Sequence, residues 1–126
     1  MHGIIFFYIQ KFADEATSGK TTWLQLRETV TASDSRYLPN EVYPDEDAVE
    51  LLQKIADTCG ETLPELIERF GEFLAPHLIK VASQNIDPTW RTLDLIENTE
   101  DIIHTMVRSA KPGAEPPVLE TVRHSP

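Results

Sequence analysis

The chain has a single cysteine, Cys59, among 126 residues. One thiol can neither close an intramolecular disulfide nor build a Cys-rich zinc site, so neither device holds this fold together. Its five glycines fall in no phosphate-cradling pattern, and the G-x-S-x-G of an activated serine is absent. There is no H-E-x-x-H, and no two histidines stand at zinc-ligand spacing. Positive charge is scarce: 11 Lys and Arg against 21 Asp and Glu leave a net charge of −10. That balance opposes binding to nucleic-acid phosphates or to an anionic membrane surface. The apolar start, MHGIIFFYIQKF, is interrupted by Lys11 and is far shorter than the ~20 residues a membrane span needs. No basic leader precedes it and no small-residue cleavage site follows, so the expectation is a cytoplasmic protein without membrane insertion.

What is present is ordinary for one globular domain: 40% apolar and 25% charged residues over a common domain length. The apolar period is helical through most of the chain. Ile4, Ile5, Tyr8, Ile9 and Phe12 predict a first helix ending before Gly19, and Thr21 or Thr22 can cap a short second one carrying Trp23, Leu24, Leu26 and Val30. Residues 31–45 carry turn formers and two prolines and predict a loop. Ala48, Val49, Leu52, Ile55, Ala56 and Cys59 mark one face of a third helix that Gly60 stops, with Cys59 as a buried structural thiol.

Thr62-Leu63-Pro64-Glu65 forms a capping box for a fourth helix. Its broad, aromatic face carries Leu66, Ile67, Phe70, Phe73, Leu74, His77, Leu78 and Val81, and Pro76 is expected to kink or divide it. Asp87-Pro88 predicts the start of a last helix, with Leu93, Ile96, Ile103, His104 and Val107 facing inward and Arg108 suited to its C-terminal end. After Pro112-Gly113 and Pro116-Pro117, Val118–Val122 has strand composition. One strand cannot satisfy its own backbone donors and acceptors, so the expectation is a fragment of a larger sheet or pairing with another chain.

Candidates for chemistry are few. His2 and His124 lie near the ends and read as solvated. His77 and His104 lie on apolar helix faces, and spacing alone leaves each readable as a core-edge imidazole with a local partner. Glu97, Glu100 and Asp101 could be acid–base groups, but on a helix with one polar side they read more simply as a solvated face. Nothing supports catalysis, and a non-enzymatic role is expected.

Several segments together resemble the haem NO-binding (H-NOX) family. They are the opening Met1-His2-Gly3 followed by apolar residues, Trp23 in T-T-W-L-Q-L, Tyr43-Pro44-Asp45-Glu46 before a helix, and Phe70-Gly71-x-x-Leu74. The most specific is Asp101-Ile102-Ile103-His104, with the proline pair 12 and 13 residues later at Pro116 and Pro117. The resemblance covers essentially the whole chain. It implies a mainly α fold (α+β in the full family): a helical haem pocket followed by the start of an antiparallel sheet. Residues 1–126 would then be one shortened domain, helical over 1–111, with a loop and first strand over 112–126; the family's Y-x-S-x-R segment, which holds the haem propionates, is not among them.

The resemblance further implies haem b (iron protoporphyrin IX) as cofactor and His104 as proximal ligand to its iron. Pro117 would press on the porphyrin, while Ile5, Phe70 and Leu74 would lie on the gas-binding side. An apolar site of that kind leaves NO binding strong while disfavouring polar Fe–O₂. The implied function is a haem-based sensor of NO, with CO as a further ligand, that signals to a histidine kinase, a cyclic-di-GMP enzyme or a chemotaxis receptor. In the mechanism the resemblance implies, NO on the iron weakens the bond to His104 and the helix bearing it moves. The alternative is a haem-free helical scaffold, or a degenerate relative, acting by protein–protein contact.

Overall fold

The computed structural model describes residues 1–28, 30, 36–110, 112–113 and 115–124. They form two compact units, 1–75 and 76–126. Part of the anticipated 31–45 loop, residues 31–35, lies outside the described residues, as do the chain's last two.

In the first unit, α1 spans Gly3–Ala16, α2 Trp23–Glu28 and α3 Asp45–Cys59. His2 is not the solvated terminal histidine expected from sequence: it is half-buried, and its Nδ1 accepts the Ile4 N–H at 3.2 Å as the cap of α1. Thr22 and Gln25 cap α2 reciprocally, because the Thr22 N–H donates to Gln25 Oε1 at 2.9 Å and the Gln25 N–H to Thr22 Oγ1 at 3.2 Å. Gly60 ends α3 with φ 72°, a left-handed conformation that costs glycine no Cβ clash.

α1 packs on α2 and α3, and α2 on α3. The centre is Phe6, Ile9, Leu51, Ile55 and Leu66, each with no exposed surface. Each such side chain contributes roughly 1.5–3 kcal/mol by leaving water. The buried stripe of α3 runs Ala48, Leu51, Leu52, Ile55 and Ala56; Val49, placed on that face from sequence, is 49% exposed. Cys59 is half-buried and donates to the Ala16 carbonyl at 3.4 Å, a structural use of the thiol.

The loop before α3 is fastened to the start of the chain. The Gly3 N–H donates to Glu41 O at 2.7 Å, the Tyr43 N–H to Met1 O at 2.9 Å, and His2 forms an isolated antiparallel bridge with Val42. Phe6 stacks on Tyr37 at 4.2 Å, and Tyr43 meets both rings edge-on. The Tyr37 hydroxyl donates to the buried Asp47 carboxylate at 3.0 Å; burial, then that anionic partner, raises its pKa.

α4 spans Leu63–Val81. Its capping box forms as the sequence predicts, with the Thr62 N–H 2.9 Å and the Thr62 hydroxyl 2.7 Å from Glu65 Oε2. Both bonds hold the Glu65 carboxyl below its ordinary pKa, the hydroxyl contributing most. Pro76 lies inside α4 without ending it, but the two units part at that residue. Of its broad apolar face only Leu66 and Phe70 are fully buried, while Phe73, Leu74, His77 and Leu78 are half-buried and Ile67 and Val81 exposed.

In the second unit a short 3₁₀ turn at Ser83–Asn85 precedes α5 (Thr92–Asn98), a π-helical segment Thr99–His104, and α6 (Thr105–Ala110). The last helix does not begin at Asp87-Pro88. Asp87 Oδ1 instead accepts from the N–H and hydroxyl of Thr89, at 2.8 and 2.7 Å, which closes a turn and spends the cap there. α5 starts at Thr92, where the Arg91 N–H donates to the Asp94 carboxylate at 2.9 Å. Val118–Val122 joins no strand ladder among the described residues. No described helix is long and apolar enough to cross a membrane.

Two outcomes follow for stability. A Cβ on Gly3 would stand 1.9 Å from Leu38 O and 2.9 Å from Leu38 C, and this backbone approach gives the M-x-G start its physical reason. Gly3→Ala should therefore destabilise the chain by about 1–3 kcal/mol, the usual cost of overpacking, read by urea denaturation. The carboxyls of Glu65, Asp87 and Asp94 sit below their unfolded values, by hydrogen bonds from Thr62, Thr89 and Arg91 respectively. The unfolded chain therefore binds protons first, so stability is full above the ordinary carboxylate range and falls as pH drops through it. Thr62→Ala should flatten that acid dependence in melts recorded across the range.

Candidate functional site

His104 is held by a charged partner. His104 ends the π segment, and its Nδ1 lies 2.9 Å from Glu100 Oε2. π-helical turns are rare and concentrate at functional positions. Here the turn is marked by the Thr105 hydroxyl, which donates back five residues to Glu100 O at 3.2 Å. Apolar periodicity does not reveal such a segment.

Glu100 gathers more than the imidazole. Arg108 Nη1 donates to its Oε1 at 2.6 Å, and the Leu119 backbone N–H donates to its Oε2 at 3.0 Å. The Arg108 guanidinium beside it, then the Leu119 N–H and His104, hold the Glu100 carboxyl down at about 2. An ionised carboxylate only accepts, so Nδ1 of His104 is the donor of its pair. Arg108 Nη2 also reaches Pro116 O at 3.3 Å. One carboxylate thus joins the helix bearing His104 to the segment after Pro116-Pro117.

This corrects the reading of Glu97, Glu100 and Asp101 as a merely solvated face. Glu100 is only 20% exposed at its side chain. Glu97, together with Asp94, takes the Arg123 guanidinium, with N···O distances of 2.6 to 2.8 Å. Asp101 alone keeps the solvated role. The spacing Glu100, His104, Arg108 is the signal that could have revealed the group, since residues four apart share a helix face. The Leu119 N–H has no counterpart in the sequence pattern.

The other expected site residues are placed as follows. Phe70 is buried in the first unit, with ring centroids 5.3 Å from Phe12 and 6.5 Å from Phe73. Ile5 and Leu74 are half-buried in that unit. His104 and the exposed Pro117 belong to the second unit, where Glu100 ties their segments together.

The donor chemistry suits a haem iron. In the neutral imidazole, Nδ1–H facing Glu100 leaves Nε2 with its lone pair, the form a metal accepts. Nothing in α5, the π segment or α6 is fully buried, while Leu95, Ile102, Ile103 and Val107 are half-covered apolar side chains. Arg108 and Arg123, by contrast, are already paired with carboxylates and are not free cations for two propionates. Among the described residues no cluster of His, Cys, Asp and Glu could hold a metal without such a group.

A family model described as Haem-NO-binding matches residues 2–126. Two solved structures of an H-NOX protein from S. oneidensis are similar in fold. One, in the Fe(II)NO ligation state, superposes with a TM-score of 0.80 at 23% identity, covering 93% of this chain and 64% of that one. The other, a three-site variant in the Fe(II) state, gives 0.79 at 23% identity and covers 90% and 61%. The chain thus spans less than two thirds of the length of these proteins. A comparison with curated proteins finds no match.

Arg123 fastens the tail to α5 through two partly exposed carboxylates. Arg123→Ala should speed proteolysis within residues 115–124, and salt well above the physiological ~0.15 M, where screening shortens, should reproduce part of the effect. Fragment masses after brief digestion are the measurement.

Proposed function

The chain belongs to the Haem-NO-binding family, a family of binding rather than catalytic domains, and on that footing we propose that it is a haem-based gas-sensing module with His104 as the proximal iron ligand. The observation that carries this reading is the π-helical placement of His104 with Nδ1 committed to Glu100 and Nε2 left for a metal. Haem, when bound, supplies the ferrous iron to which a diatomic gas coordinates. Everything else falls to the protein. His104 would hold the metal through Nε2. Ile5, Phe70 and Leu74 would offer the cofactor apolar surface without a hydrogen-bond donor, which favours NO over O₂ and leaves CO as a further ligand. Pro117, rigid beside Pro116, would press on the porphyrin.

The output is a change in the position of the helix that carries His104, read by a partner protein that binds one state better. A histidine kinase, a cyclic-di-GMP enzyme or a chemotaxis receptor fits that role. The family membership supports the haem and gas-sensing reading; NO preference and the partner are carried by the apolar residues and the resemblance.

Reconstitution with hemin is the test. The reduced chain should show a Soret band of a histidine-ligated ferrous haem that shifts on NO addition. His104→Ala should lose the iron–histidine stretching band in resonance Raman spectra and retain haem at least about tenfold more weakly, the scale expected when a metal ligand or its supporting partner is removed. A spectrum unchanged by that substitution would remove His104 as ligand. No haem uptake by the unsubstituted chain would favour a haem-free scaffold acting by protein contact.

A further inference from the structure

Resting on the reading of His104 as the iron ligand, we propose that Glu100 is its positioning residue and couples the ligand helix to the backbone at Leu119. Three observations carry this. The Glu100 carboxylate receives His104 Nδ1 at 2.9 Å, Arg108 Nη1 at 2.6 Å and the Leu119 N–H at 3.0 Å. His104 Nδ1 and the Leu119 N–H share one oxygen, Oε2, while Arg108 occupies the other. The furthest donor, the Leu119 N–H, lies 19 residues from Glu100, and it alone comes from outside the helical stretch.

The chemistry follows from those bonds. Free imidazole favours the proton on Nε2, which would block the nitrogen that a metal needs. An anionic acceptor at Nδ1 reverses that preference, fixes the ring plane and strengthens the nitrogen left to donate. Arg108 keeps the carboxylate in place by occupying its second oxygen. Because the same Oε2 holds Leu119, a rotation or shift of His104 that moves Glu100 must lengthen or break the bond to the segment after Pro117. The helix and that segment respond together, without a direct contact between His104 and Leu119.

The coupling can be read without haem. In the haem-free chain at about pH 8, ¹⁵N spectra of the His104 ring should show the proton on Nδ1, and Glu100→Ala should move it to Nε2. Amide exchange at Leu119 should accelerate about tenfold or more in that variant, matching the loss of a bond to a charged acceptor. Glu100→Gln keeps an acceptor of the same shape and should keep the Nδ1–H tautomer, which holds the test open if the alanine variant loses its helical circular dichroism. Asp101→Asn, one residue away and exposed, should change neither readout. In the haem-loaded chain, Glu100→Ala should shift the iron–histidine stretching band to lower frequency. An Nε2–H tautomer in the unsubstituted chain, or Leu119 exchange indifferent to both Glu100 variants, would overturn the proposal. A chain that shows the Nδ1–H tautomer but takes up no haem would instead overturn the sensor reading and leave the coupling standing.

Discussion

The second unit is organised around one carboxylate. Its helices bury no apolar side chain completely, so the hydrophobic term that dominates the first unit is weak there. In its place, Glu100 accepts three donors from three parts of the unit, and Asp94 with Glu97 grips Arg123. Single exposed ion pairs add little. A carboxylate shared by a guanidinium, an imidazole and a backbone N–H differs, because each bond holds the acceptor in place for the others.

The π segment decides which side chains share a face with His104. In a regular helix the row through His104 would pass back by Glu100 to Glu97, Ile96 and Leu93. A π turn stacks residues about five apart instead, so the row from His104 runs through Thr99 to Leu95. The burial agrees: Leu95 is half-buried while Leu93 and Ile96 are 53% and 48% exposed. Sequence periodicity assumes a constant 3.6 residues per turn and therefore assigned Leu93 and Ile96 to the inner face. Glu100, four residues back, stays within hydrogen-bond reach of His104, while Asp101 stands in solvent.

Most of the fold was legible in the sequence, for identifiable reasons. Helices α1 to α4 follow apolar spacing and local capping chemistry, and Thr62, Glu65 and Gly60 act as their residue types require. Legibility failed where a side chain had two uses. Asp87 could cap a helix or close a turn, and the Thr89 N–H and hydroxyl, both donating to its carboxylate, favour the turn. His2 could be solvated or cap α1, and the fastening of Met1 and Gly3 to residues 41–43 brought it inward. At the site, His104 was reachable through motif order and the Pro116-Pro117 spacing. Glu100 was named among the acidic residues but not as its partner, although the four-residue spacing to His104 was visible; the Leu119 bond was not, because it forms only through the folded tail.

The division between the two kinds of cohesion has a functional consequence. Close-packed apolar cores resist small displacements, since moving a buried Phe6 or Ile55 opens a void with no compensating contact. Hydrogen bonds to a partly exposed carboxylate can instead be exchanged for water at modest net cost. Sensing requires an element whose two positions differ by energies of that size, within reach of what one bound ligand can supply differentially. His104 is held by Glu100 on a stretch with no fully buried side chain. The weakness of apolar burial around α5 and α6 leaves the polar bonds at Glu100 as a main hold on the helix that carries His104.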